Sequence, residues 1–258
     1  MLSAPENLDT SVVALFLDVD GTLLAIRDNP ADVVADPALI ELLKACSRET
    51  AGALALVSGR SIEELDRIFA PAVFPAAGAH GSELRFGNGQ TQNMAADPLP
   101  APTINMLETF VAEHPGLLLE HKRGGVSLHC RRAPDLEDAC RDLVLALVAD
   151  LGSEFRLIGG KMVFEIAPSA HDKGAAIHSF LQHKPFAARV PVYIGDDVTD
   201  EDAFREVNQL GGTSIRVGDS SQSEARFELP DVASVQVWLC DAVLGINKSD
   251  QQESSSIE

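Results

Sequence analysis

A near-continuous apolar run, Val12 to Leu17, ends at Asp18, and Asp20, Gly21 and Thr22 follow at once. Apolar side chains at successive rather than alternate positions mark a strand buried on both faces, as in a parallel sheet covered by helices. In such sheets ligand chemistry gathers just beyond the carboxyl ends of the strands. Residues two apart on an extended chain share a face, so Asp18 and Asp20 can reach one small volume. Gly21 lets the chain turn sharply there and aim backbone N–H groups at an anion. Two carboxylates this close repel unless one keeps a proton or a cation lies between them. A magnesium ion, which takes oxygen ligands, meets that need. By itself the pair also reads as a turn that happens to hold two aspartates.

The pattern returns along the chain. Pro37 to Cys46 puts Leu39, Ile40, Leu42, Leu43 and Cys46 on one helical face. Ala53 to Val57 is a second apolar strand, ending in Ser58-Gly59-Arg60, and Ser61-x-x-Glu64 reads as a capping box that opens a helix. Val190 to Ile194 is a third strand, ending in Gly195-Asp196-Asp197, with a helix from about Asp200 to Val207. This alternation predicts an α/β fold with a Rossmann-like open parallel sheet and helices on both faces. Ser58 can donate to a phosphoryl oxygen, or serve only as a loop residue beside a helix cap. Lys173 stands ahead of a helix with Ile177 and Phe180 on its apolar side. It can neutralise developing phosphate charge, or be a solvated lysine. Asp196 and Asp197 suit metal coordination and Asp200 an outer position, whereas Glu201 and Asp202 are explained by an acidic helix start.

The middle of the chain has a different texture. Gly87-Asn88-Gly89 predicts a turn between short strands, and a helix is expected from about Pro102 to Glu113. Leu117 to Glu120 and Val126 to Arg131 read as strands joined through Arg123-Gly124-Gly125. A helix from about Asp135 to Ala149 precedes strands near Glu154 to Ile158 and Met162 to Ile166, joined by Gly159-Gly160. Hairpins and helices in this order predict an α+β domain inserted at 97–169 into a core made of 1–96 and 170–246. The polar stretch from Asn247 to Glu258 is expected to be a disordered tail.

Charge narrows the partners. The 258 residues hold 20 basic and 39 acidic side chains, a formal charge of −19, which speaks against nucleic acid because a phosphate backbone needs a basic footprint. A small anionic substrate stays open, since a metal and a few cations can reverse the sign inside one cleft. Cys46, Cys130, Cys140 and Cys240 form no C-x-x-C pair and are expected to be free thiols, in keeping with a cytoplasmic location. No leader-like segment and no run of about 18 apolar residues is present, so no membrane association is expected.

Taken together, Asp18-x-Asp20-Gly21-Thr22, Ser58, Lys173 and Gly195-Asp196-Asp197 resemble the haloacid dehalogenase-like hydrolase superfamily. That resemblance implies a catalytic core with an inserted cap and a phosphatase that works through an aspartyl-phosphate. It makes Asp18 the nucleophile and Asp20 the group that protonates the leaving oxygen and then activates water. It gives Mg²⁺ to Asp18, the Asp20 backbone carbonyl and Asp196, with Asp197 and Asp200 behind them. Ser58 and Lys173 hold the transferring phosphoryl group.

Further segments resemble the trehalose-6-phosphate phosphatase family: Gly195-Asp-Asp-Val-Thr-Asp-Glu-Asp202, Gly78-Ala-His80-Gly81-Ser-Glu-Leu-Arg85, Leu119-Glu120-His-Lys122, Ser127-Leu-His129-Cys-Arg131 and Val163-Phe-Glu165-Ile-Ala-Pro168. By this resemblance the small-molecule partner is trehalose 6-phosphate and the protein a monomer. Glu120, Lys122 and Glu165, with Arg60 and His129, become its recognition residues. Without it, Glu120 and Lys122 also read as a surface ion pair, and His80 and His129 as structural histidines. Two positions depart from the pattern. Cys130 replaces an aromatic residue, and Ala167 stands where a basic residue is common, which removes one cation near the site. A phosphatase for another sugar phosphate and a non-catalytic sugar-phosphate-binding domain are the rival readings.

Overall fold

The structure, a computed structural model, describes residues 2–27, 32–93, 98–122, 124–160, 162–219 and 222–245. The expected tail, Asn247 to Glu258, lies outside them, as do Asp97, Arg123 and Lys161. The chain divides into two compact units, residues 1–92 with 173–258, and residues 93–172.

The first unit begins with β1 (Leu2–Ser3), β2 (Val13–Leu17), α1 (Pro37–Glu49), β3 (Leu54–Val57), α2 (Ile62–Ile68), β4 (Ala76–Gly78), β5 (Glu83–Arg85) and β6 (Thr91–Asn93). The second follows with α3 (Ala101–Glu113), β7 (Leu118–Lys122), β8 (Gly125–His129), α4 (Glu137–Leu151), β9 (Phe155–Gly160) and β10 (Val163–Pro168). The first then resumes with α5 (Lys173–Leu181), β11 (Val190–Gly195), α6 (Glu201–Gln209), β12 (Thr213–Val217), β13 (Phe227–Leu229) and α7 (Val232–Trp238).

The nine strands of the first unit run in the order β1-β13-β12-β11-β2-β3-β4-β5-β6, and all pairings from β1 to β4 are parallel. Every residue of β2 and β3 is buried, as the unbroken apolar runs predict. On one face Leu15, Leu17, Leu54, Leu56, Val192 and Ile194 pack with Leu43 of α1, Leu65 of α2 and Trp238 of α7. On the other, Phe16 meets Phe180 of α5 and Phe186, and Tyr193 meets Phe204 of α6. Ser61 caps α2, and its capping-box bonds with Glu64 are both made. From β2 the chain moves to β3 and β4 on one side, and later to β11, β12 and β13 on the other. The β2–β11 boundary is therefore the point where strand order reverses, and ligands of open parallel sheets bind beyond the strand ends at such a point.

The second unit is a four-stranded antiparallel sheet, β7-β8-β10-β9. Val126, Leu128, Phe155, Phe164 and Ile166 form an apolar core with Leu107 of α3 and with Cys140, Val144 and Leu147 of α4. The alternate residues of each strand therefore make up a second, polar face. One expectation needs correction. Gly159 and Gly160 do not join two strands but belong to β9, where they pair with Phe164 and Val163. The turn comes after Gly160 and contains Met162 at φ 62°, so reading the two glycines as the turn placed it too early in the chain. Cys46, Cys130 and Cys140 are buried free thiols and Cys240 is half-buried. Burial pushes the Cys46 thiol up to about 12, which keeps it protonated and inert.

Candidate active site

Three neighbouring strands, β11, β2 and β3, end in Asp196, Asp18 and Ser58 (β11 and β3 flank β2). Asp18 is 5% exposed, and its Oδ1 accepts from Lys173 Nζ at 2.7 Å. The same ammonium donates to Asp200 Oδ1 at 2.6 Å. Asp200 is fully buried and fully engaged: it also accepts from the Tyr193 hydroxyl and, through Oδ2, from the backbone N–H groups of Asp196 and Asp197 at 2.9 and 2.8 Å. The loop after β11 is thus wrapped around the Asp200 carboxylate. Asp196 turns inward and accepts from Thr22 Oγ1 at 3.2 Å, whereas Asp197 is exposed. The adjacent aspartates that the sequence offered together for coordination are therefore divided, because the turn that serves Asp200 brings only Asp196 to Asp18 and leaves Asp197 exposed.

Electrostatics fits this geometry. Burial raises the Asp18 carboxyl well above the usual range, Lys173 opposes the rise, and Asp200 and Asp196 add to it. Burial, with Asp200 next, pushes Asp196 up to about 6. Burial alone would lower the Lys173 ammonium, but Asp18 and Asp200 outweigh it and hold it above the ordinary lysine value. When ionised, the three carboxylates and one ammonium leave two uncompensated negative charges in a buried cluster. Ligand atoms of Asp18, Asp196 and Asp200 lie within 4.8 Å of one another. That donor set of hard oxygens and its surplus charge fit a divalent cation. Gly21 fits it too: at φ 87° it suits glycine, and a Cβ there would land on the Asp196 carboxylate. Asp200 is the weakest candidate ligand, since its oxygens already serve four donors.

Asp20 is held differently. Arg60 Nε and Nη2 donate to its two oxygens at 2.6 and 2.7 Å, a bidentate pair. Arg60, expected to touch substrate, is thus paired with Asp20. Ser58 is buried, and its Oγ accepts from the Arg60 backbone N–H at 3.2 Å.

The segment 78–85 has a function that spacing did not reveal. Ala79 N donates to Arg60 O at 2.7 Å, His80 N to Ser58 O at 3.1 Å, and the Glu83 carboxylate accepts from Ile62 N at 2.8 Å. Arg85 grips Asp66 of α2 with two bonds of 2.7 Å. Ala79 and His80 adopt φ of 46° and 54°, a left-handed conformation that costs non-glycine residues energy and is retained here by these bonds. The sequence signal was present in the motif, but its meaning lies in the tertiary clamp. Tyr193 also went unnoticed, because a tyrosine inside an apolar strand reads as core until its hydroxyl is seen on Asp200.

In the second unit, ladder register puts Glu120, Ser127, Glu165 and Ile158 in one row across the polar face. Glu165 Oε2 accepts from Lys122 Nζ at 2.5 Å and from Ser127 Oγ at 2.8 Å. His129 Nε2 lies 2.8 Å from Glu120 Oε2. The strand-borne polar residues therefore share one face, and the acids and bases partner each other.

The family model for trehalose-phosphatase matches residues 16–233. The chain belongs to the trehalose-phosphatase family. It is 40% identical over 250 residues to the trehalose-6-phosphate phosphatase of Escherichia coli (strain K12), spanning 94% of this chain and 93% of that protein. The C-terminal domain of Candida albicans trehalose-6-phosphate phosphatase superposes with a TM-score of 0.79 at 21% identity, over 89% of this chain and 92% of that one. A phosphatase of the haloalkanoate (HAD) superfamily from Bacteroides thetaiotaomicron gives 0.61 at 17% identity, over 89% and 93% of the two chains. Those two likenesses establish the haloacid dehalogenase-like fold. Among the described residues no helix is long and apolar enough to cross a membrane.

Proposed function

We propose that this chain hydrolyses trehalose 6-phosphate to trehalose and phosphate through an aspartyl-phosphate on Asp18. The observation that carries the reading is the buried Asp18–Lys173–Asp200 chain at the strand-order reversal, with Asp196 beside it. Likeness to the Escherichia coli enzyme across 94% of the chain, the second unit included, supports the choice of substrate.

An Asp18 oxygen attacks phosphorus as the bond to the sugar oxygen breaks, and that oxygen takes a proton from Asp20. Both Asp20 oxygens accept from Arg60, so the proton reaches the leaving oxygen only with a change in that pairing. Asp20 then takes a proton from the water that attacks the phosphoryl group, which frees Asp18 and phosphate. Lys173 keeps the Asp18 carboxylate aimed and offsets its burial. Ser58 donates to a phosphoryl oxygen. Mg²⁺, held by Asp18, Asp196 and the Asp20 backbone carbonyl, would neutralise charge on the phosphoryl oxygens. Glu120, Lys122 and Glu165, with His129, read the sugar hydroxyls. Asp197 and Asp200 shape the loop that carries Asp196.

Phosphate release with Mg²⁺ is expected to be fast on trehalose 6-phosphate, much slower on sucrose 6-phosphate or glucose 6-phosphate, and abolished by EDTA. Asp18→Asn should remove turnover entirely. Equal rates on the three sugars would overturn the substrate, and turnover in Asp18→Asn would overturn the covalent step.

A further inference from the structure

We infer that Tyr193 is a positioning residue for the nucleophile: by donating to Asp200, its hydroxyl keeps the Lys173 ammonium shared between Asp200 and Asp18. The inference rests on the reading that Asp18 attacks phosphorus, and it gives a task to a buried hydroxyl that the mechanism leaves unused. On β11 the side chains of Val192 and Ile194 belong to the core on one face of the sheet. Alternation therefore sends Tyr193 to the other face, where its ring meets Phe204 of α6. A phenylalanine would fill that place as well. The whole residue is buried, and a buried hydroxyl is costly unless its oxygen finds a partner. The partner here is Asp200.

That partner is one bond away from the nucleophile. Asp200 Oδ1 accepts from both the Tyr193 hydroxyl and Lys173 Nζ, and Nζ donates in turn to Asp18. One ammonium is thus divided between two carboxylates, at 2.6 Å from Asp200 and 2.7 Å from Asp18, where little water screens it. A second donor on Asp200 Oδ1 draws off part of its charge and weakens its hold on the ammonium. Without the hydroxyl, Lys173 is drawn toward Asp200, and Asp18 loses part of the partner that aims it. Asp200 is held against turning to offset the loss. Its Oδ2 is fixed by the Asp196 and Asp197 N–H groups, and a Cβ on Gly195 would lie 2.4 Å from its Cγ. Burial, with Asp200 next, holds the Tyr193 hydroxyl well above the usual phenol range, so it keeps its proton and acts as a donor.

The test measures kcat and KM on trehalose 6-phosphate and on 4-nitrophenyl phosphate, with the thermal midpoint, for wild type, Tyr193→Phe, Phe204→Leu and Asp18→Asn. Tyr193→Phe deletes one oxygen and keeps the ring. It should lower kcat about tenfold on both substrates, the lower end for a hydrogen bond to a charged group, and leave KM unchanged. Phe204→Leu loosens the packing of the same ring without touching the hydroxyl. It should lower the midpoint and leave kcat at the wild-type value. Wild-type kcat in Tyr193→Phe, with Asp18→Asn inactive, would overturn the inference alone and leave the hydroxyl a satisfied core group. An equal fall of kcat in Phe204→Leu would also overturn it, by assigning the effect to packing. So would a raised KM with wild-type kcat in Tyr193→Phe. Turnover in Asp18→Asn would overturn the covalent reading and the inference with it. If wild type hydrolyses the generic ester but not the sugar phosphate, the substrate assignment fails while the Tyr193 comparison is read on the ester.

Discussion

At the residue scale, the cluster around Asp18 is under-neutralised by design. Burying a carboxylate costs several kcal/mol unless it is paired, and one ammonium serves two of the three acids here. The sign of the pH dependence follows. The folded-state pKa of Asp196 is raised to about 6, above its unfolded value, so the folded state binds the proton more tightly. Asp18 is shifted in the same direction by burial. Without metal, the stability that Asp196 contributes is highest at low pH and is lost as pH rises from about 4 through about 6, and the Asp18 contribution is likewise lost as pH rises. A divalent cation competes with those protons and restores what is lost. The gain in thermal midpoint from EDTA to excess Mg²⁺ should therefore be larger at pH 7.5 than at pH 5. Asp196→Asn should shrink the difference. Equal gains at both pH values would mean that the cation binds elsewhere.

At the element scale, the loop bearing Ser58 and Arg60 depends on a neighbour in space. It is held by β4, whose Ala77 carbonyl accepts from Ser58 N, by the left-handed turn after it, which donates to the Ser58 and Arg60 carbonyls, and by Glu83 on the first N–H of α2. Gly59 marks how closely the turn approaches, since a Cβ there would come within 2.6 Å of the His80 ring. Gly59→Ala should displace the loop by a fraction of an ångström to an ångström and keep the sheet, because the strands beneath are untouched. A misplacement of that order costs about 100-fold in kcat. Far-ultraviolet circular dichroism and steady-state kinetics would check this, and wild-type kcat with an intact fold would remove the clamp's catalytic importance. The elements themselves were largely legible. Val12 to Leu17 announced a strand buried on both faces, and Ser61-x-x-Glu64 announced the start of α2, because both signals are local. The bidentate Arg60–Asp20 pair was not legible, since it joins residues 40 positions apart. Nor were the short strands β1 and β13, which carry only two and three residues.

At the scale of the whole molecule, the two units carry different kinds of chemistry. The first concentrates charge at strand ends, where buried acids and Lys173 suit bond breaking. The second spreads its polar groups along one face of a sheet, where cross-strand neighbours present a row of donors and acceptors. Period-two alternation made that face readable, whereas the pairing across it waited on the register. Lys122 tests the separation. Its ammonium holds Glu165, which is buried, so its removal both deletes a donor to sugar oxygens and leaves a carboxylate short of a partner. Charged hydrogen bonds of this kind are worth about 1.5–3 kcal/mol, or about 10- to 150-fold. Lys122→Ala is therefore expected to lower kcat/KM on trehalose 6-phosphate within that range. On 4-nitrophenyl phosphate, which offers no sugar hydroxyls and whose leaving group needs little protonation, kcat/KM should stay near wild type. If both substrates lost activity in parallel, Lys122 would be serving the folding of its unit, and recognition would have to be sought elsewhere on the sheet.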